Sequence, residues 1–123
     1  MMTDDTTLQG KWVPLKAELS GENAPPEMLA RMELVFTHGH YTVQFGGENA
    51  EAGDYTLMAT GDQKSLTLHA TTGLHSGRSL PCIYQLAGDR LRICYGLDGS
   101  LPPAFAAAAG TPHYLVSYRR KPS

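Results

Sequence analysis

Eight short runs in which apolar and polar residues alternate, each bounded by Gly, Asp or Asn, constrain this chain more than any other feature. They cover roughly 11–19, 33–38, 41–46, 52–60, 65–71, 80–87, 90–96 and 113–120. A period of two puts every second side chain on one side of an extended strand, so each run reads as a strand with one buried face. All six tyrosines and two of the three phenylalanines fall inside these runs, where rings fill the space over a pleated surface. Most connections are short, so consecutive strands are expected to pair antiparallel. Eight of them can close into an up-and-down barrel. An open sandwich uses the same elements, but closure removes the exposed strand edges that invite pairing with other chains. The expected fold is all-β, an eight-stranded up-and-down antiparallel barrel.

One short helix is expected after the first strand. In "NAPPEMLARM" a proline pair precedes Glu27, Met28, Leu29 and Met32, which are spaced for a turn or two of helix. The long connection "LDGSLPPAFAAAAGTP" carries an alanine run that could add another brief helical turn.

With 123 residues, 41% of them hydrophobic, the chain is long enough for one core and too short for two ordinary domains. Residues 8–121 are expected to form that domain, behind a disordered or loosely attached start at 1–7. A net charge of −2 with both signs scattered along the chain argues against nucleic acid as a partner. The opening "MMTDDTTLQG" lacks the basic start and apolar run of a secretory signal, so a cytoplasmic location is expected. No apolar run approaches the roughly 20 residues of a bilayer-spanning helix, and no membrane partner is expected. Oligomeric state is left open by the pattern.

Cys82 and Cys94 test the strand reading. Their strands are joined by Gly88-Asp89, a two-residue hairpin signal. If Ala87 faces Arg90, then Leu86 meets Leu91, Tyr84 meets Ile93 and Cys82 meets Tyr95 on one face. Gln85 then meets Arg92, and Ile83 meets Cys94, on the other. The sulfurs point to opposite sides of the sheet and cannot form a disulfide. Free thiols are expected, in keeping with a reducing compartment.

Extending that register puts Leu34, Phe36, Tyr41, Val43, Phe45, Tyr55, Leu57, Leu66, Leu68, Tyr84, Leu86, Ile93 and Tyr95 on one face, taken as the interior. The first strand breaks the rule. Strict alternation from Trp12 would bury Lys16 and Glu18, whereas a bulge near Pro14 would turn Leu15, Ala17 and Leu19 inward with Trp12. The bulge is favoured because isolated buried charges are costly.

Gly10-Lys11-Trp12 matches the Gly-x-Trp signature of the lipocalin and fatty-acid-binding-protein superfamily, at the opening of the first strand. More of the chain resembles an uncharacterised lipocalin-like domain family abundant in planctomycete bacteria, with a Leu-Gln-Gly-x-Trp opening. The likeness continues through 41–47 ("YTVQFGG"), 51–57 ("EAGDYTL") and 83–94 ("IYQLAGDRLRIC"), Pro103 and Phe105, and ends on Tyr118-Arg119-Arg120. It implies a lipocalin-like, calycin-type barrel in which the indole of Trp12 closes one end under an arginine of the last strand, either Arg119 or Arg120. Gly10 would let the chain enter the barrel floor closely. It implies no catalytic residues.

Chemical motifs are sparse. His38-Gly39-His40 pairs two imidazoles, but Gly39 sits naturally in a turn and a metal site needs three or four ligands, so no metal is expected. "GLHSGRS" places Ser76 one position off a nucleophile elbow and lacks its strand and helix; a mobile polar loop is expected. Phosphate loop, dinucleotide and zinc-protease motifs are all missing, so neither a cofactor nor a catalytic residue is assigned. A barrel of this size is either filled by side chains or holds one small ligand. Tyr41, Tyr55, Tyr84 and Tyr95 favour a ligand, because a buried phenol needs a partner, although each hydroxyl could instead reach the barrel mouth. Tyr118 is a weaker candidate because the facing of the last strand is unresolved. The expected function is non-catalytic binding of a small hydrophobic or aromatic molecule. The alternatives are a cytoplasmic isomerase or cyclase using the same cavity, and a packed barrel serving as a protein-interaction module.

Overall fold

The computed structural model describes residues 4–60 and 63–121. Its chain order is α1 (Asp4–Leu8), β1 (Gly10–Leu19), β2 (Glu22–Asn23), α2 (Pro26–Leu29), β3 (Met32–Thr37), β4 (His40–Phe45), β5 (Glu48–Thr60), β6 (Gln63–Gly73), β7 (Ser79–Ala87), β8 (Arg90–Gly96) and β9 (His113–Arg120). From β3 to β9 each strand pairs antiparallel with the next, β1 pairs with β3, and β9 returns to β1. The result is a closed up-and-down barrel of eight strands, with β2 an added two-residue ladder at the end of β1. No sheet edge is left open along the ring, which is the reason such a meander is stable as a closed unit.

The β7–β8 hairpin has the register that Gly88-Asp89 dictates: Cys82 faces Tyr95, Ile83 faces Cys94, and Ala87 faces Arg90. Gln85 meets Arg92 on the outer face, and the Arg92 guanidinium donates to Gln85 Oε1 at 2.7 Å. Both cysteines are free and buried, on opposite sides of the sheet.

Inward positions of all eight strands build one core, with Trp12, Leu34, Phe36, Tyr41, Leu66, Leu91, Ile93 and Val116 almost fully buried. Removing each large side chain from water contributes roughly 1.5–3 kcal/mol, so this ring of side chains dominates the fold's stability. Phe36 and Tyr55 pack edge to face with centroids 5.0 Å apart.

Three interior expectations need correction. Phe45 is the last residue of β4, pairs with Met32 at the rim, and is 38% exposed with Arg31 over its ring. In β1 the bulge is present, with Pro14 opposite Tyr118 and Lys16 opposite Ser117. Leu15 is the extra residue and is exposed, while Pro14 and Ala17 are buried; Leu19, at the strand's end, is also exposed. The ladder of β1 with β3 covers only Gly10 to Trp12, so a proline without an N–H donor is tolerated just beyond it. Lys16 is exposed, which removes the buried-charge alternative.

Helix α2 is shorter than its motif, four residues with Pro26 in the first turn, and Met32 already belongs to β3. The alanine-rich connection 97–112 forms no helix. It lies over the outer face of β7 and β8 instead: Cys94 Sγ contacts the Ala106 carbonyl, Arg92 stacks 4.1 Å from the Phe105 ring, and Pro102 and Ala107 are buried. That cover explains why Ile83 and Cys94, on the outward face, are as buried as the core. Gly96 starts the crossing, because a β-carbon there would meet Ser100 O at 1.8 Å.

The start of the chain is also ordered further than expected. Asp4–Leu8 is a helix, Leu8 is fully buried, and the Asp4 carboxylate bonds Lys64 and Tyr84. Residues 1–3 lie outside the described residues.

Candidate functional site

The two ends of the barrel are built differently. At the floor, Trp12 is fully buried and its indole N–H donates to the Leu8 carbonyl at 2.9 Å. Arg120 lies 4.3 Å over the ring, donates from Nη1 to the Gln9 carbonyl at 2.9 Å, and bonds the Thr7 carbonyl through Nη2. Arg120 is therefore the arginine on the indole, and Arg119 is exposed. Gly10 adopts φ +116, and a β-carbon there would stand 3.4 Å from the Arg120 guanidinium. Two candidate tyrosines belong to this floor. Tyr55 accepts from the Gln9 amide at 2.7 Å, and Tyr84 donates to Asp4 at 2.9 Å.

At the mouth the barrel is not filled. A cavity of about 210 Å³ opens there, with apolar lining from Val43, Leu68, Leu80, the half-buried Leu97, Met32 and the exposed Leu74. Its polar lining is Glu51, His75 and the tyrosines Tyr95, Tyr114 and Tyr118. Glu51, the buried charged residue of the interior, is only 8% exposed. Its Oε2 accepts from Tyr41 Oη at 2.9 Å and its Oε1 from His75 Nδ1 at 2.7 Å. With Nδ1 engaged by Glu51, Nε2 is the ring's other hydrogen-bonding atom.

Local structure explains how His75 reaches Glu51. Gly73 pairs with Glu51 at the end of β6 and turns at φ +93, where a β-carbon would meet Ala50 O at 2.4 Å. The chain then folds back through Ser76 N–H to Gly73 O, Gly77 N–H to Ala70 O and Ser76 Oγ to Thr71 O. The expected mobile polar loop is thus a hydrogen-bonded turn that lays an imidazole over a carboxylate.

Tyr95 and Tyr118 share a hydrogen bond at 2.7 Å, and the Tyr95 ring lies 5.4 Å from that of Tyr114. One hydroxyl of the first pair donates to the other, so the acceptor's own proton stays available to a further partner. Burial holds the phenols of Tyr95, Tyr114 and Tyr118 above the usual tyrosine range, so all three stay neutral well past neutrality. Tyr41 is raised by burial first and then by its bond to Glu51. The Cys82 thiol, fully buried, is pushed up by the same desolvation.

Of the four tyrosines named from the sequence, Tyr95 lines the cavity and Tyr41 supports it through Glu51. Tyr55 and Tyr84 face the floor. Tyr118 joins the lining because β9 turns it inward opposite Leu91. Glu51 and His75 were missed. The alternation that places Leu57, Tyr55 and Gly53 inward also places Glu51 inward, so its position was readable; its partner, 24 residues away, was not.

The histidines of His38-Gly39-His40 lie at a turn. His38 and Gly39 have positive φ and make the β3–β4 turn, the His38 N–H donates to Gln9 Oε1 at 2.6 Å, and His40 Nδ1 lies 2.5 Å from Asp54. Among the described residues no group of three or more His, Cys, Asp or Glu side chains is arranged to hold a metal ion. No described helix is long and apolar enough to cross a membrane.

Fold and site together define a closed antiparallel barrel, sealed at one end and hollow at the other. No protein-family model, curated protein or solved structure matches the chain.

Proposed function

We propose that this chain binds a small hydrophobic or aromatic molecule in the mouth of its barrel, without catalysis. The observation that carries the reading is the cavity itself: inward side chains fill the floor, yet leave about 210 Å³ between apolar walls and a few convergent polar groups. Sites for drug-sized ligands run to roughly 300–1,000 Å³, so the ligand is a single-ring or short-chain molecule. The Gly-x-Trp opening and the arginine over the indole support a lipocalin-like relationship to the planctomycete domain family. Two free, buried thiols support a reducing compartment such as the cytoplasm.

Native mass spectrometry of freshly purified protein tests the reading. A small molecule is expected to co-purify, and Leu97→Trp, which fills the half-buried mouth position, is expected to lose it while keeping the β-sheet circular dichroism. A protein that carries and takes up no small molecule would end the proposal.

A second reading, an isomerase or cyclase in the same cavity, draws on one observation. A buried carboxylate orients His75 beside tyrosine hydroxyls, the arrangement that general acid–base chemistry requires. Turnover of a bound molecule, abolished by His75→Gln without loss of binding, would favour it over simple binding. A fully packed interaction module does not account for the cavity.

A further inference from the structure

The polar inventory of the mouth narrows what can occupy it. Glu51 is a carboxylate taken out of water, and its two partners are the Tyr41 phenol, always neutral here, and the His75 imidazole at 2.7 Å, which forms an ion pair with it only when protonated. Among the described residues that line the cavity there is no lysine or arginine. Three carboxylates elsewhere have such partners: Glu33 pairs with Lys121, Asp4 with Lys64 and Asp89 with Arg120. A buried carboxylate without a fixed cation is costly unless something completes it.

Three tyrosine rings share the same lining, Tyr95 and Tyr114 with centroids 5.4 Å apart and Tyr118 bonded to Tyr95. An aromatic face attracts cations through its quadrupole, and several faces beside a carboxylate are the usual chemistry for holding an organic ammonium group. Resting on the binding function proposed above, we infer that the ligand is a small organic cation, a free amine carrying one apolar group. Its ammonium group sits against Glu51 and the tyrosines, and its apolar part against Leu68, Leu80 and Leu97. The same charge excludes carboxylates of equal size.

Calorimetric titration of the full chain with benzylamine, benzyl alcohol and benzoate tests the charge preference at constant shape, and amide chemical shifts of Glu51, His75 and Tyr95 locate the site. Benzylamine is expected to bind about tenfold or more tightly than benzyl alcohol, and benzoate not at all. Glu51→Gln keeps an acceptor for Tyr41 and is expected to bring benzylamine down to the level of benzyl alcohol. Tyr114→Leu, at a half-buried position, is a second variant should the first not fold. It is expected to weaken benzylamine several-fold more than it weakens benzyl alcohol. Benzyl alcohol or benzoate binding as tightly as benzylamine would overturn the cation assignment and leave small-molecule binding standing. Tighter binding of a lysine capped at both termini would overturn the free-amine assignment in favour of a peptide side chain. Failure of all three benzyl probes, with no molecule co-purifying, would overturn both proposals.

Discussion

The floor and the mouth of this barrel use the same residue type to opposite ends. Tyr55 and Tyr84 at the floor bond Gln9 and Asp4, groups supplied by the chain's own first residues. At the mouth Tyr95 and Tyr118 bond each other, and Tyr41 bonds a buried carboxylate. A helix and its flank fill one end, whereas among the described residues only the turn carrying His75 reaches over the other and leaves a cavity beneath it. Closing a barrel leaves two ends to be covered, and here residues 4–10 cover one. The cavity is what remains where covering stops, and Glu51 is the buried carboxylate in its lining.

That contrast predicts where the molecule breaks. The largest effect is expected from Trp12→Ala, which opens the floor and should lower unfolding free energy by about 3–5 kcal/mol in a urea titration. A loss below about 1 kcal/mol would show that the indole is not the floor's main support. Alkali should act next, and at the mouth. Tyr41, Tyr95, Tyr114 and Tyr118 all hold their protons more tightly folded than unfolded. Their contribution is complete below the ordinary tyrosine pKa of about 10 and is lost as pH rises above it, because only the unfolded chain ionises there. Thermal melts should therefore be flat to about pH 10 and fall beyond it; phenolate absorbance rising at normal midpoints with the fold intact would contradict this.

A smaller effect separates neighbouring arginines. Arg120→Ala removes the cation over Trp12 and two bonds to the backbone of α1 and its flank, a loss of about 1–3 kcal/mol. Arg119→Ala should change stability by no more than about 0.5 kcal/mol, being an exposed position. Equal losses would mean that the guanidinium does not act through the indole. Acid should have the mildest effect, and at the floor. Lys64, chiefly by hydrogen bonding, and Tyr84 hold the Asp4 carboxyl below its usual range. Its contribution is present above the ordinary value near about 4 and fades as pH falls below it. Asp4→Asn should remove that part of the acid dependence and leave the alkaline limb untouched.

Much of the architecture was legible before any coordinates. Alternation located all eight barrel strands, and the Gly88-Asp89 turn determined the pairing of every residue from Cys82 to Tyr95, because a two-residue hairpin admits one register. The bulge in β1 was readable as a conflict between strict alternation and the cost of burying Lys16. The site was legible only in part. Tyr41 and Tyr95 were chosen by facing alone, which says whether a side chain points inward but not toward which end, so Tyr55 and Tyr84 came with them.

By itself, then, the order of residues determined the strand periods, the inward face and the free thiols, since each follows from steric and solvation rules acting over a few residues. Three features were decided only when the ring closed. Arg120 rather than Arg119 met the indole, the alanine-rich connection settled over Cys94, and the turn after Gly73 delivered His75 to Glu51. Each joins groups that local rules place independently, and their meeting depends on how far each strand runs before it turns, a quantity set by the packing of the whole barrel rather than by any short stretch of it.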